Sequence, residues 1–176
     1  MGVAGILLTG GASTRMGRDK ATIAVDGETL AARGARVLAA VCDPVIEVGP
    51  GVTALRAVRE SPPGSGPLAA LFAGYDALHT NDGSVFLLAC DLPFVTESIV
   101  RVLVEHPAGG SVVPVVEGRE QYACARWSAG AIADARGGTA LRDLMRAGDV
   151  TTVAVDDAQV LQDVDTPEDL RRLGLS

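Results

Sequence analysis

The sequence predicts an α/β fold with three layers, a mostly parallel central sheet and a local antiparallel strand pair. Short apolar runs alternate with amphipathic stretches along the chain, as strands alternate with helices in such folds. The run "SVFLLAC" at residues 84–90 is apolar without a period of two, as expected of a strand covered on both faces. Two further strand-like runs, 111–116 and 122–127, flank a polar turn at 117–120 and could pair as a hairpin.

Taken in order, residues 3–8 read as a buried strand and residues 29–41 as a helix rich in Ala and Leu. A strand follows at 44–48, with turn residues 49–51 after it, and a short one at 55–58. Residues 67–79 form a helix opened by Pro67, which suits a first turn. After the strand at 84–90, residues 96–105 form a helix capped near Thr96. The strand pair comes next, then helical stretches at 129–136 and 139–147 and a strand at 151–155. Thr166-Pro167-Glu168-Asp169 is a helix start: Thr166 caps, Pro167 takes the first position, and the acids suit the positive end of the dipole.

The chain has 176 residues, read as one domain over 1–176 and long enough for a substantial core. Acids number 22 and bases 15, a net charge of −7, which disfavours nucleic acid as a partner. The three cysteines lack CxxC spacing and fit free thiols in a reducing compartment. "MGVAGILLTGG" has neither the basic leader nor the apolar length of a signal peptide, and no run approaches a membrane span. The expectation is a cytoplasmic protein with no membrane partner. His79 and His106 have no partners at metal or catalytic spacing, and Cys90 reads as a core thiol.

Against the acidic total, "LLTGGASTRMGRDKA" at residues 7–21 gathers Arg15, Arg18 and Lys20 beside two glycines, directly after a strand. Gly10 and Gly11 can bring backbone amides close to an anion, and Arg15 and Lys20 add charge-assisted contacts to phosphate. The spacing is neither Walker A nor GxGxxG. Ligands of parallel α/β sheets sit at the strands' carboxyl ends, which puts this loop and Asp91, after "FLLAC", on one edge. A carboxylate there is well placed to hold Mg²⁺, which takes one or two carboxylates together with substrate phosphates.

The segment resembles the nucleotide-binding signature of the molybdenum cofactor guanylyltransferases, within a wider class of Rossmann-like nucleotidyltransferases. That signature runs as a hydrophobic pair, Ala-Gly-Gly, a variable piece, Arg-Met-Gly and Asp-Lys; Thr9 stands where Ala is usual. "CDLP" is similar to the family's Cys-Asp-x-Pro, which implies that Asp91 binds metal and nucleotide phosphates. "GPLAA" is similar to its Gly-Pro-Leu-Ala-Gly, through Gly66, and the acid upstream that implies a nucleotide contact is Glu60. "QDVDTPEDL" is similar to its Asn-x-Asn-Thr-Pro-Glu-Asp-Leu, with Asp163 and Asp165 at the two Asn positions. Acids there could join a metal site or repel an anionic acceptor. "GREQYACARWS" is similar to the acceptor side, which implies a pterin near Gln121 and Tyr122, with Arg119 at its phosphate.

The resemblance implies Mg²⁺-dependent transfer of GMP from GTP to molybdenum-molybdopterin, with release of pyrophosphate. Lys20, Arg15 and Asp91 would be catalytic, and Leu8, Thr9, Gly10, Gly11, Lys20, Glu60, Gly66 and Asp91 would bind nucleotide. It also implies transient contact with proteins that handle molybdopterin. Two rivals remain at this level: the same machinery using CTP or another phosphorylated acceptor, and a non-catalytic nucleotide-binding protein.

Overall fold

A computed structural model of the chain describes residues 2–10, 19–79, 83–146 and 148–175. The strand β1 (Ala4–Leu8) is buried along its whole length. After the loop come a 3₁₀ turn (Lys20–Thr22) and a two-rung ribbon of β2 (Ala24–Val25) and β3 (Glu28–Thr29). Asp26 and Gly27 link the two at φ of 52° and 81°, the positive pair that a two-residue hairpin turn requires. The helix α1 (Leu30–Ala39) is capped by the Thr29 hydroxyl, which accepts from the Ala32 amide.

Next come β4 (Val45–Val48), β5 (Arg56–Val58), α2 (Pro67–Leu78), β6 (Val85–Ala89) and α3 (Glu97–Val104), the last capped by Thr96. Then follow β7 (Ser111–Val116), β8 (Arg119–Glu120), β9 (Cys124–Trp127), α4 (Ala129–Asp134), β10 (Val150–Ala154) and α5 (Pro167–Arg172). The expected elements are present with ends trimmed by a residue or two. The stretch expected to be helical at 139–147 is 3₁₀ instead (Leu141–Arg146), and Asp143 accepts from the Thr139 and Ala140 amides at its start.

The main sheet runs β10-β7-β9-β6-β1-β4-β5, with β8 paired to β7. All pairings are parallel except those of β8 and β9. The antiparallel departure is therefore real, but its build differs from a simple hairpin of two long strands. The turn at Glu117-Gly118 returns directly into β8, and β9 inserts between β7 and β6.

Alternating side chains of the central strands feed two cores. Ile6, Leu8, Val85, Leu87 and Trp127 pack with Leu68 and Leu71 of α2 and Ile132 of α4. Leu7, Phe86 and Leu88 pack on the other face with Val37 and Leu38 of α1 and Val100 and Leu103 of α3. These are the three layers. A third, small cluster of Ile23, Val25, Leu30, Val164 and Leu170 fastens the β2–β3 ribbon to α5. Among the described residues no helix is long and apolar enough to cross a membrane.

Trp127 is fully buried, and its indole N–H donates to the Tyr122 carbonyl at 3.2 Å. Trp127→Ala should lower unfolding free energy by about 3–5 kcal/mol in urea titrations. A loss under about 1 kcal/mol would mean that the core does not depend on it.

Candidate active site

The carboxyl ends of β1 and β6 open into a cleft of about 340 Å³, within the range of small-molecule sites. Leu8, Thr9, Gly10, Lys20, Asp91, Gln121 and Asp163 line it together with apolar side chains such as Leu92 and Leu141. A second hollow shares Thr9 and Gly10 and is completed by residues including Asp19, Arg59 and Glu60.

Local structure explains each placement. β6 ends where the Cys90 amide donates to the Leu8 carbonyl at 3.0 Å, so Asp91 emerges beside the end of β1. The Val164 amide donates to the Asp91 carbonyl at 2.9 Å, which docks the segment carrying Asp163 and Asp165 against the β6 end. That segment is held in turn by the capping box of α5: Asp169 accepts from the Asp165 and Thr166 amides at 3.1 and 2.9 Å. Lys20 enters from the 3₁₀ turn, whose cap Asp19 accepts from the Ala21 amide at 3.0 Å while Ala21 is buried beneath it.

Lys20 is the only lysine in the sequence, so any lysine role belongs to it. Its ammonium donates to Asp165 and lies 3.5 Å from Asp91 Oδ2. Burial pulls the Lys20 pKa down, but the Asp165 hydrogen bond and the charges of Asp91 and Asp165 outweigh it and raise the pKa above its ordinary value. Burial also pushes the Asp91 carboxyl up; Lys20 opposes this, and Asp163 and Asp165 add to it. Among the described residues, three acids thus stand near one lysine in this pocket.

Other expected residues fall around this centre. Gly10 lines the cleft, but its amide and that of Thr9 are directed at the Val48 carbonyl, at 3.4 and 3.0 Å. Glu60 lines the second hollow, and its carboxylate accepts from the Gly64 amide at 2.9 Å. Gly66 caps α2 at φ 94°, and Pro67 after it reaches the cleft. Tyr122 does not line the cleft; its hydroxyl donates to Glu120 at 3.4 Å. Arg119 is exposed in β8. Gly11, Arg15 and Arg18 lie outside the described residues.

One residue behind the site escapes the motif-based reading. Glu47 of β4 is fully buried, and the Thr9 hydroxyl donates to it at 2.6 Å. The hydroxyl that Thr9 has in place of the usual Ala therefore has a partner. A lone acid inside the apolar strand "VIEV" was the available signal.

An α/β sheet that brings Gly10, a lysine and carboxylates to one carboxyl-edge cleft is an arrangement suited to a nucleotide's phosphates, and comparison with known proteins gives the class as nucleotidyltransferase. The family model for the MobA-like NTP transferase domain matches residues 5–153, and the chain belongs to that family. A protein of Mycolicibacterium paratuberculosis called a probable molybdenum cofactor guanylyltransferase is 33% identical over 191 residues, covering 98% of this chain and 95% of the relative. Among solved structures, Rv0371c of Mycobacterium tuberculosis aligns with a TM-score of 0.80 at 24% identity, covering 100% of each chain. Molybdopterin-guanine dinucleotide biosynthesis protein A of Archaeoglobus fulgidus aligns at 0.71 and 20% identity, covering 97% of this chain and 96% of that one. At these identities the two structures speak for the fold.

Because folding raises the Asp91 pKa, its ionised form is disfavoured in the folded state. The resulting cost begins as pH rises past the unfolded carboxylate value of 3.8 and is complete above the folded one. Asp91→Asn should therefore melt higher than wild type at neutral pH in chelator, with the difference shrinking as pH falls toward about 4. The Lys20 contribution has the opposite sense, present below 10.5 and lost as pH climbs through the raised folded value. A variant less stable than wild type at pH 7 would contradict this account of Asp91.

Proposed function

We propose that the chain, acting as one nucleotidyltransferase domain over residues 1–176, transfers GMP from GTP to the terminal phosphate of molybdenum-molybdopterin. The observation that carries this reading is the meeting of Thr9–Gly10, Lys20 and Asp91 in one cleft, with Lys20 and Asp91 3.5 Å apart. The family membership and the name of the mycobacterial relative point the same way.

The donor set suits a divalent metal. Asp91 and Asp163 both face the cleft, and burial raises the Asp91 pKa against the pull of Lys20, so a dication would relieve the excess charge. Among the described residues no group of three acidic, His or Cys side chains could hold an ion by itself. Magnesium commonly takes one or two carboxylates together with substrate phosphates. Asp91 would hold it, with Asp163 the neighbouring candidate. When bound, the ion supplies charge neutralisation to the phosphate oxygens.

The chain's own residues do the rest by positioning and electrostatics. The backbone of Leu8 to Gly10 seats the nucleotide, whose base reaches toward the hollow at Glu60. Gly11, outside the described residues, is the candidate to supply an amide to phosphate. An oxygen of the acceptor's terminal phosphate attacks the α-phosphorus of GTP; the bond from that phosphorus to the bridging oxygen breaks, and pyrophosphate departs. The attacking oxygen is already anionic, so no general base is needed. Lys20 and Arg15 offset charge growing on the pyrophosphate; Lys20 is protonated throughout the working pH range because its pKa is raised. Gln121, with Tyr122 on the same segment, is the candidate contact for the pterin. Asp165 fixes the Lys20 ammonium and, with Asp163, makes the acceptor end acidic.

A pyrophosphate-release assay with molybdopterin, Mg²⁺ and a panel of GTP, CTP and ATP tests the reading. Release should require GTP, acceptor and metal together. Asp91→Asn should abolish it in a folded protein, and Lys20→Met should lower turnover by about 10²–10³. Preference for CTP would move the assignment to a cytidylyltransferase; near-normal release by folded Asp91→Asn would remove Asp91 from the chemistry.

A further inference from the structure

Glu47 sits within β4 and is fully buried, yet both its oxygens are satisfied. Oε1 accepts from the Thr9 hydroxyl at 2.6 Å and from the Gly51 and Val52 amides at 2.8 and 2.9 Å. Oε2 accepts from the Thr53 amide at 2.9 Å and its hydroxyl at 2.6 Å. Burial alone would push this carboxyl up. The hydrogen bonds from Thr53, Thr9 and Val52 outweigh it and bring the pKa to about 2, so the group is an anion at neutral pH.

An apolar side chain would fill this strand position without needing five donors, so the question is what the anion holds. It ties the start of the phosphate loop to the turn after β4. The same two segments are joined by the Thr9 and Gly10 amides on the Val48 carbonyl, at 3.0 and 3.4 Å. They also pack without clearance: a Cβ at Gly49 would lie 2.1 Å from Thr9 Oγ1 and 2.7 Å from the Gly10 nitrogen. Thr9 and Gly10 form the wall common to the cleft and the second hollow.

We infer that Glu47 is a positioning residue for the nucleotide: acting through Thr9, its buried carboxylate fixes the wall between the two compartments and thereby sets nucleotide affinity. The inference rests on the nucleotide reading of the cleft. Glu47 does not line the cleft, so its effect falls on binding and not on the bond-making step.

Thr9→Val keeps the shape of the side chain and removes the donor, and Glu47→Gln replaces an acceptor oxygen with an amide group. Calorimetric titration with Mg²⁺ and GTP and steady-state pyrophosphate release should show each single variant weakening Kd and raising KM about tenfold, with kcat within about threefold of wild type. The double variant should be no worse than Glu47→Gln alone, because one contact chain is broken once. Without nucleotide, hydrogen exchange at residues 51–53 should quicken in Glu47→Gln. Folded single variants that bind GTP as wild type does, or losses that add fully in the double variant, overturn the inference. If Glu47→Gln does not fold, a wild-type KM in Thr9→Val overturns it. Wild-type protein that binds none of GTP, CTP or ATP overturns the functional reading and this inference together, whereas wild-type binding with unaffected variants overturns this inference alone.

Discussion

Asp91 and Asp165 meet at Lys20 on the carboxyl edge of the sheet, with Asp163 lining the same cleft, and the character of the cleft follows from that arrangement. Each charge arrives by a different route. Asp91 lies two residues beyond the end of the buried strand β6, and Lys20 projects from a 3₁₀ turn anchored by Ala21. The other two acids are carried in by a backbone hydrogen bond to Asp91 and by the cap of α5. The small cluster of Ile23, Val25, Leu30, Val164 and Leu170 is what lets a C-terminal segment reach a site begun near the N-terminus. Removing water from this edge strengthens every interaction in it.

Two carboxylates show how environment moves a pKa in opposite directions. Glu47 is the more buried, yet its five donors hold it ionised and low, at about 2. Asp91 has the Lys20 ammonium nearby but also two acidic neighbours, and its pKa goes up. The first is satisfied by the fold and has nothing left to offer a ligand. The second keeps unmet capacity at the mouth of a cleft, the condition in which a group gains by taking a metal or a phosphate partner.

Much of this was legible in the sequence, for identifiable reasons. "SVFLLAC" reads as a strand covered on both faces, and Asp91 follows it directly. Thr166-Pro167-Glu168-Asp169 carries its own helix start, and the capping box forms as the residue types require. Less legible was what depends on partners distant in the chain. Nothing local to 122–127 says that β9 inserts between β7 and β6. The Gly10 amide looked available to an anion, but the neighbouring strand end supplies Val48 as its acceptor. Glu47 belongs to no motif; its meaning appears only when Thr9, 38 residues earlier, closes on it. The Asp165 contact with Lys20 spans 145 residues and could not be read from either segment alone.

The proposed function requires an acidic edge that accepts a divalent ion together with a nucleotide. Electron paramagnetic resonance of Mn²⁺, titrated against the protein with and without GTP, reads that directly. Tight uptake of Mn²⁺ that appears with GTP and is lost in Asp91→Asn is the predicted result. Nucleotide binding of equal strength with and without metal, indifferent to the loss of that carboxylate, would contradict it.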